Sequence, residues 1–138
     1  MKEIIKNNKY VEVCFIHEMK LGRIVWKSKI IPSEEYRDAF LVLIDFAEKV
    51  KGTEGRVALF LSDTTIQGVV SPDDRKWFQE VALPRAVATG LKKACVVMSG
   101  SVFKKYYINL ILKTVKKFDL PFKVFNNYDE AVEWLTSE

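Results

Sequence analysis

The sequence predicts an α/β fold: a mixed, largely parallel sheet with an N-terminal antiparallel hairpin and helices packed on it, in the order ββαβαβαβα. Three observations carry this. Short runs of β-branched and aromatic residues alternate with longer segments whose apolar residues recur at three- and four-residue intervals. Residues 56–61 (RVALFL) are almost uniformly apolar, as a central strand covered on both faces must be. The first two strand-like runs are joined by a turn too short for a crossover, so they pair antiparallel, whereas the later ones are separated by helix-length segments.

Residues 1–9 read as a loosely ordered lead-in. Residues 10–19 (YVEVCFIHEM) form the first strand, with Val11, Val13, Phe15 and His17 on one face. Lys20, Leu21 and Gly22 make the turn, Gly22 being free to take a positive φ, and residues 23–30 return to complete the hairpin. Ser33 then caps a helix whose first turn carries Glu34 and Glu35 at the positive end of its dipole. Tyr36, Phe40, Leu43, Ala47 and Val50 lie on one stripe of that helix, and Leu41 and Val42 fall off it. Lys51 and Gly52 stop it.

After the central strand comes a loop, residues 62–70. A second helix starts at Ser71, with Pro72 at its first position and Asp73 and Asp74 complementing the dipole. Trp77 and Val81 are expected to pack it on the sheet, and Pro84 to break or kink it near Leu83, with a second piece running to Gly90. A strand at 94–98, a helix capped near Ser101, a strand at Phe122–Phe125 and a last helix entered through Asn127 complete the chain. Ala131, Val132, Trp134 and Leu135 give that last helix its packing face.

The 138 residues, 49% of them hydrophobic, read as one domain spanning 1–138 that needs neither metal nor disulfide to build a core. Its two cysteines, Cys14 and Cys95, lie in strand-like runs without metal-ligand spacing and read as buried thiols of a reducing compartment. The longest apolar run, residues 39–44, is far short of a membrane span, and no signal-peptide pattern opens the chain. These features point to a cytoplasmic protein. Lys and Arg exceed Asp and Glu by 22 − 18 = 4, partly through residues 103–117 (FKKYYINLILKTVKK), which read as a solvated helix face rather than a nucleic-acid patch.

Candidate chemistry is sparse. The single histidine, His17, sits on a strand face and reads as a half-buried residue with one hydrogen-bond partner. There is no nucleophile elbow or P-loop, and the Ser99–Gly100–Ser101 turn reads as a helix cap. No cofactor, metal or catalytic set is expected. Asp63 follows the central strand at the end where α/β sheets place ligands, although an Asp there commonly organises its own loop. Trp26, Tyr36 and Trp77 are either core or the lining of an apolar pocket.

The stretches RVALFLSD (56–63), SPDDRKW (71–77), LPRAVATGL (83–91) and NYDEAVEWL (127–135), with Val25–Trp26–Lys27 and Glu35–Tyr36–Arg37 upstream, resemble the small bacterial SpoIIAA-like proteins of the STAS and CRAL-TRIO-related group. The resemblance covers most of the chain from about Tyr10. It implies a non-enzymatic regulatory or protein-interaction domain. It also implies a serine at the start of the helix after the central strand, often a phosphorylation switch, for which Ser71 is the positional counterpart. In place of the group's usual Asp-Ser-Ser-Gly, Val69 and Val70 precede Ser71 and Pro72 follows it.

The expected working surface is therefore Asp63, Thr64, Ser71, Asp74 and Trp77, with Arg85 nearby. The alternative is a small apolar-ligand or lipid carrier with a pocket beside Trp26 and Tyr36. Self-association would use Leu41 and Val42 or a sheet edge.

Overall fold

The computed structural model describes residues 1–100 and 102–137, apart from the side chains of 102–105, 107 and 108. Six strands form one sheet in sequential order: β1 (Lys2–Asn7), β2 (Val11–Ile16), β3 (Leu21–Trp26), β4 (Leu59–Asp63), β5 (Lys93–Val97) and β6 (Phe122–Phe125). The first three are antiparallel neighbours and β3 to β6 run parallel. Each parallel crossover steps the same way along the sheet, so a constant right-handed sense puts every connecting helix on one face. Those helices are α1 (Ser33–Lys49), a continuous helical stretch over 72–88, and α4 (Val102–Val115). The last helix, α5 (Tyr128–Thr136), follows the final strand and covers the other face.

The cores follow this division. On the crossover face Val13, Ile24 and Trp26 meet Tyr36, Phe40 and Leu43 of α1, and further along Leu83 and Ala94 meet Ile111 and Val115 of α4. On the other face Leu21, Leu61, Cys95 and Val97 pack against Ala131 and Leu135. The central strand β4 thus contributes to both cores, Phe60 to one and Leu61 to the other, as its apolar run requires. Trp134 is half-buried at the margin, its ring centroid 5.9 Å from that of Phe125, with the Lys93 and Lys123 ammonium groups 5.0 and 5.5 Å from it.

Several expectations are corrected. Residues 1–9 are not a loose lead-in: Lys2–Asn7 is a sheet strand, paired from Lys2 opposite Ile16 to Asn7 opposite Glu12, with a bulge between Ile4 and Lys6. Its lysines and bulge are features by which an edge strand discourages further pairing, and they also mask its strand character in the sequence. Asn8 makes the turn into β2, its Oδ1 accepting from the N–H groups of Tyr10 and Val11 at 2.8 and 3.1 Å. The β2–β3 connection is a 3₁₀ turn over His17–Met19, and Lys20, not Gly22, takes the left-handed conformation with φ 54°. His17 accordingly lies outside the strand.

Gly22 stands within β3, where a β-carbon would lie 3.0 and 3.2 Å from the Leu43 δ-carbons. Its role is to let α1 approach the sheet closely. Ser33 is the first helical residue of α1 rather than its cap, and Pro32 occupies the cap position without a side-chain hydrogen bond. Pro84 does not end the second helix. α2 (Pro72–Trp77) passes through a π-helical turn, Phe78–Ala82, directly into α3 (Leu83–Ala88). The wider turn relieves the lost N–H and the ring clash that proline imposes on a regular α-helix. Val81 points out to solvent on this stretch, 39% exposed, and does not pack on the sheet. The cap expected at Ser101 lies outside the described residues, as do several side chains of the basic run 103–117.

Candidate functional site

Three loops meet at the carboxyl end of the parallel strands: residues 27–32 after β3, 64–71 after β4, and Ser99–Gly100 after β5. The β4–α2 loop is tied down along its length. Asp63 Oδ1 accepts from Thr65 N and Thr65 Oγ1 at 3.1 and 2.6 Å, so this carboxylate organises its own turn. Thr64 donates through both N and Oγ1 to the Val97 carbonyl, at 2.8 and 2.9 Å, fixing the loop to β5. Ser99 Oγ donates to the Thr65 carbonyl at 3.0 Å. Gly68 N donates to the Lys29 carbonyl at 2.8 Å, which draws the first two loops together. A β-carbon at Gly68 would lie 2.6 Å from that same carbonyl oxygen, so only glycine permits the approach.

Between these two loops lies an open groove of about 560 Å³, within the size range of small-ligand sites. Ile30, Ile31, Val69 and Val70 supply its apolar walls, and Tyr36, Gln67, Val70 and Asp74 are its buried members. Ile30 is 80% exposed and Val69 73%, and Ile66 of the same loop is 56% exposed. Three large β-branched side chains held out to water by two pinned loops are not explained by the core beneath them.

Asp74 ties the two helix starts together. Its Oδ1 accepts from Ser33 Oγ at 2.6 Å and from Arg37 Nε at 2.9 Å, while its backbone N–H donates to Ser71 Oγ at 3.2 Å. Burial alone would raise its pKa, but hydrogen bonds to Ser33, Arg37 and Ser71 outweigh that influence and hold the carboxyl below its ordinary range. Ser71 is thereby the cap of α2 and is itself exposed. Gln67 is as buried as Asp74, yet among the described residues its Nε2 has no hydrogen-bond partner. A buried amide left so carries a desolvation cost of about 1–3 kcal/mol.

Trp26 and Tyr36 are core residues. Their rings stack at 5.3 Å, and the Trp26 indole donates to Ser62 Oγ at 3.0 Å in the interior. Phe40 joins them at 5.7 and 5.1 Å, and Trp77 closes on Phe40 at 6.2 Å with the Arg37 guanidinium 5.4 Å from its ring centre. Cavities among the described residues under these helices measure about 50 Å³ each. That is room for one or two waters, against about 300 Å³ or more for an organic ligand. Tyr36 and Gln67 form the wall between one of these cavities and the groove.

Of the expected surface, Ser71 and Asp74 line the groove, Asp63 and Thr64 are taken up by the β4–α2 loop and its tie to β5, Trp77 packs on Tyr36 and Phe40, and Arg85 stands apart. That residue lies on α3 and its guanidinium pairs with Asp45 and Glu48 of α1 at 3.1 and 2.8 Å, about 20 Å along the helical stretch from Ser71. Lys29, Ile30, Gln67 and Val69 belong to the site but were not among the expected residues. One signal for them was present: Ile66, Val69 and Val70 make the loop unusually apolar. The burial of Gln67 has no signature in the sequence.

Other chemistry-bearing groups stand elsewhere. His17 Nε2 lies 3.0 Å from Glu3 Oε1 on open surface at the opposite end of the sheet. Lys2, Glu12 and Arg23 form an ion-pair chain on the α5 face, with Arg23 donating to Tyr128 Oη at 2.8 Å. Cys14 and Cys95 are fully buried free thiols. Burial raises both, Cys95 to about 12. Among the described residues no group of three metal-ligating side chains gathers, and no helix is long and apolar enough to cross a membrane. No family model, no curated protein and no solved structure matches the chain.

Proposed function

We propose that the chain is a non-enzymatic, STAS-like regulatory or protein-interaction domain that engages its partner through the β3–α1 and β4–α2 loops. The observation that carries this reading is the exposure of Ile30, Ile66 and Val69 on two loops whose backbones are pinned by hydrogen bonds to each other and to β5. Apolar side chains presented by a fixed backbone lose little conformational entropy on docking, so a small patch suffices for specific contact. Ser71 stands exposed beside them at the start of α2. A phosphate there would gain from the helix dipole and be repelled by Asp73 and Asp74. The resemblance to SpoIIAA-like proteins supports the same surface.

The test is comparative capture from cells of origin, read by quantitative mass spectrometry. Baits are the wild-type chain, the double variant Ile30→Ser/Val69→Ser, and Arg85→Ala as a surface control remote from the groove. Both variants should keep wild-type stability to within about 0.5 kcal/mol, since the changes touch exposed side chains. The reading expects a protein retained by wild type and Arg85→Ala but depleted at least tenfold by the double variant, a loss of about 1.4 kcal/mol. Equal retention on all three baits would remove this surface from the account.

A further inference from the structure

Charge is unevenly placed along the chain. Residues 1–90 hold fourteen bases and thirteen acids, close to balance, whereas residues 91–127 hold eight lysines against a single acid, Asp119. In the first part much of the charge is neutralised in place: Lys2, Lys6, Lys20, Arg23, Arg37 and Arg85 each pair with a carboxylate. In the second part, among the described residues, Lys92, Lys113, Lys116, Lys117 and Lys123 make no ion pair. Four of these stand on one flank of the domain. The exposed Tyr106, Asn109 and Lys113 follow one another at three- and four-residue spacing along α4, and the stripe runs on to Lys116 and Lys117 in the turn after it, opposite the buried Ile111 and Val115. Leu91 and Phe118 pack on one core cluster, and Ala94 N–H donates to the Pro121 carbonyl at 3.0 Å. The turn carrying Lys92 therefore adjoins the turn carrying Lys116 and Lys117. Asp129, Glu130 and Glu133 belong to α5, on the other face of the sheet.

We propose that this flank binds the phosphate backbone of double-stranded nucleic acid without reading its sequence. Taken alone, residues 103–117 are a solvated helix face. Eight lysines against one acid within 91–127, in a chain whose net charge is only +4, are the footprint of a polyanion site. The stripe from Tyr106 to Lys117 spans about 17 Å, a length over which a duplex carries about ten phosphates. Tyr106 and Asn109 add donors of the kind that bond phosphate oxygens. Every base of 91–127 is a lysine, a point charge suited to phosphate, and none is the arginine that reads guanine edges. A protein partner fits this flank less well, because lysine is depleted from such interfaces and Tyr106 is the one exposed large hydrophobic residue among those described in the segment. A membrane would need an apolar helix face to insert, and α4 buries its own, with Ile111 and Val115, in the core. The proposal goes beyond the partner reading and uses a different surface from the β3–α1 and β4–α2 loops.

The experiment is fluorescence anisotropy of the full chain with two labelled DNA duplexes of unrelated sequence, each about 20 base pairs, between about 50 and 200 mM salt. Both duplexes should bind saturably and alike, with affinity falling on a log-log salt plot by about 0.9 for each lysine engaged. Lys113→Gln/Lys116→Gln/Lys117→Gln should weaken binding at least tenfold at the lower salt and flatten that slope by about 2 to 3. The same three positions changed to arginine should keep wild-type affinity. Lys9→Gln/Lys49→Gln/Lys76→Gln removes equal charge from exposed sites on other elements and should weaken binding less than about threefold. All six positions are exposed, so the fold is kept. Polyglutamate and phosphatidylserine vesicles should bind at least tenfold more weakly than the duplexes. The absence of saturable binding at the lower salt, equal losses in the two glutamine variants, a tenfold preference between the duplexes, or either competitor binding as tightly as DNA would each overturn the proposal.

Discussion

The loop that closes at Ser71 and the helix that opens there bury one polar side chain each, and the two are treated in opposite ways. Asp74, 5% exposed, is held by a serine, an arginine and a capped backbone N–H. Gln67, 6% exposed, leaves its Nε2 without a partner among the described residues. Equal burial with unequal satisfaction separates two kinds of residue. A satisfied buried carboxylate is a joint of the scaffold. An unsatisfied buried amide is a cost the fold bears, and such costs concentrate where something else is to be bound.

The largest effect expected from breaking this contrast is at Asp74. Asp74→Ala removes the acceptor shared by Ser33 and Arg37, and should destabilise by about 2–3 kcal/mol in urea unfolding, since hydrogen bonds to a charged group are the stronger kind. The same joint is acid-sensitive. Its folded pKa lies below the ordinary value of 3.8, so its stabilisation is complete above that value and is lost as pH falls through the lower, folded one. Acid unfolding of Asp74→Asn between about pH 4 and pH 2 should therefore be shallower than that of the wild type.

Next in size is Gly68→Ala, where the new β-carbon would meet the Lys29 carbonyl at 2.6 Å. Forcing the two loops apart should cost about 1–3 kcal/mol, and the amide signals of Lys29 to Ile31 should shift with it. A wild-type midpoint and an unchanged spectrum would mean that the loops are not locked together as described. The smallest effect is at Gln67. Gln67→Met, close in volume and without the unpaired amide, should stabilise by about 1 kcal/mol.

The architecture was legible in the sequence because it rests on periodicity. The stripe Tyr36, Phe40, Leu43 and Ala47 is buried as the helical spacing requires, and RVALFL feeds a central strand with a core on each side. What escaped was decided by tertiary contact. The strand at Lys2–Asn7 exists because β2 offers it an edge, and its own residues are too charged to announce it. Gly22 reads as a turn residue until α1 is laid across it. Ser33 reads as a cap until Asp74, from another helix, takes its hydroxyl.

The site was half legible by the same reasoning. Asp63, Thr64, Ser71, Asp74 and Trp77 could be placed after the central strand by order alone, whereas Arg85 was drawn away by acids on α1 that no local pattern reveals. Gln67 carries no mark in the sequence, because satisfaction of a hydrogen bond is a property of the folded surroundings.

The most direct test of the contrast is urea unfolding of Asp74→Asn and Gln67→Met beside the wild type at neutral pH. The account predicts opposite signs: Asp74→Asn less stable, because a charged acceptor shared by two helix starts is lost, and Gln67→Met as stable as the wild type or more so. Destabilisation of both by similar amounts would contradict it, and would place Gln67 with Asp74 among the structural joints of the fold.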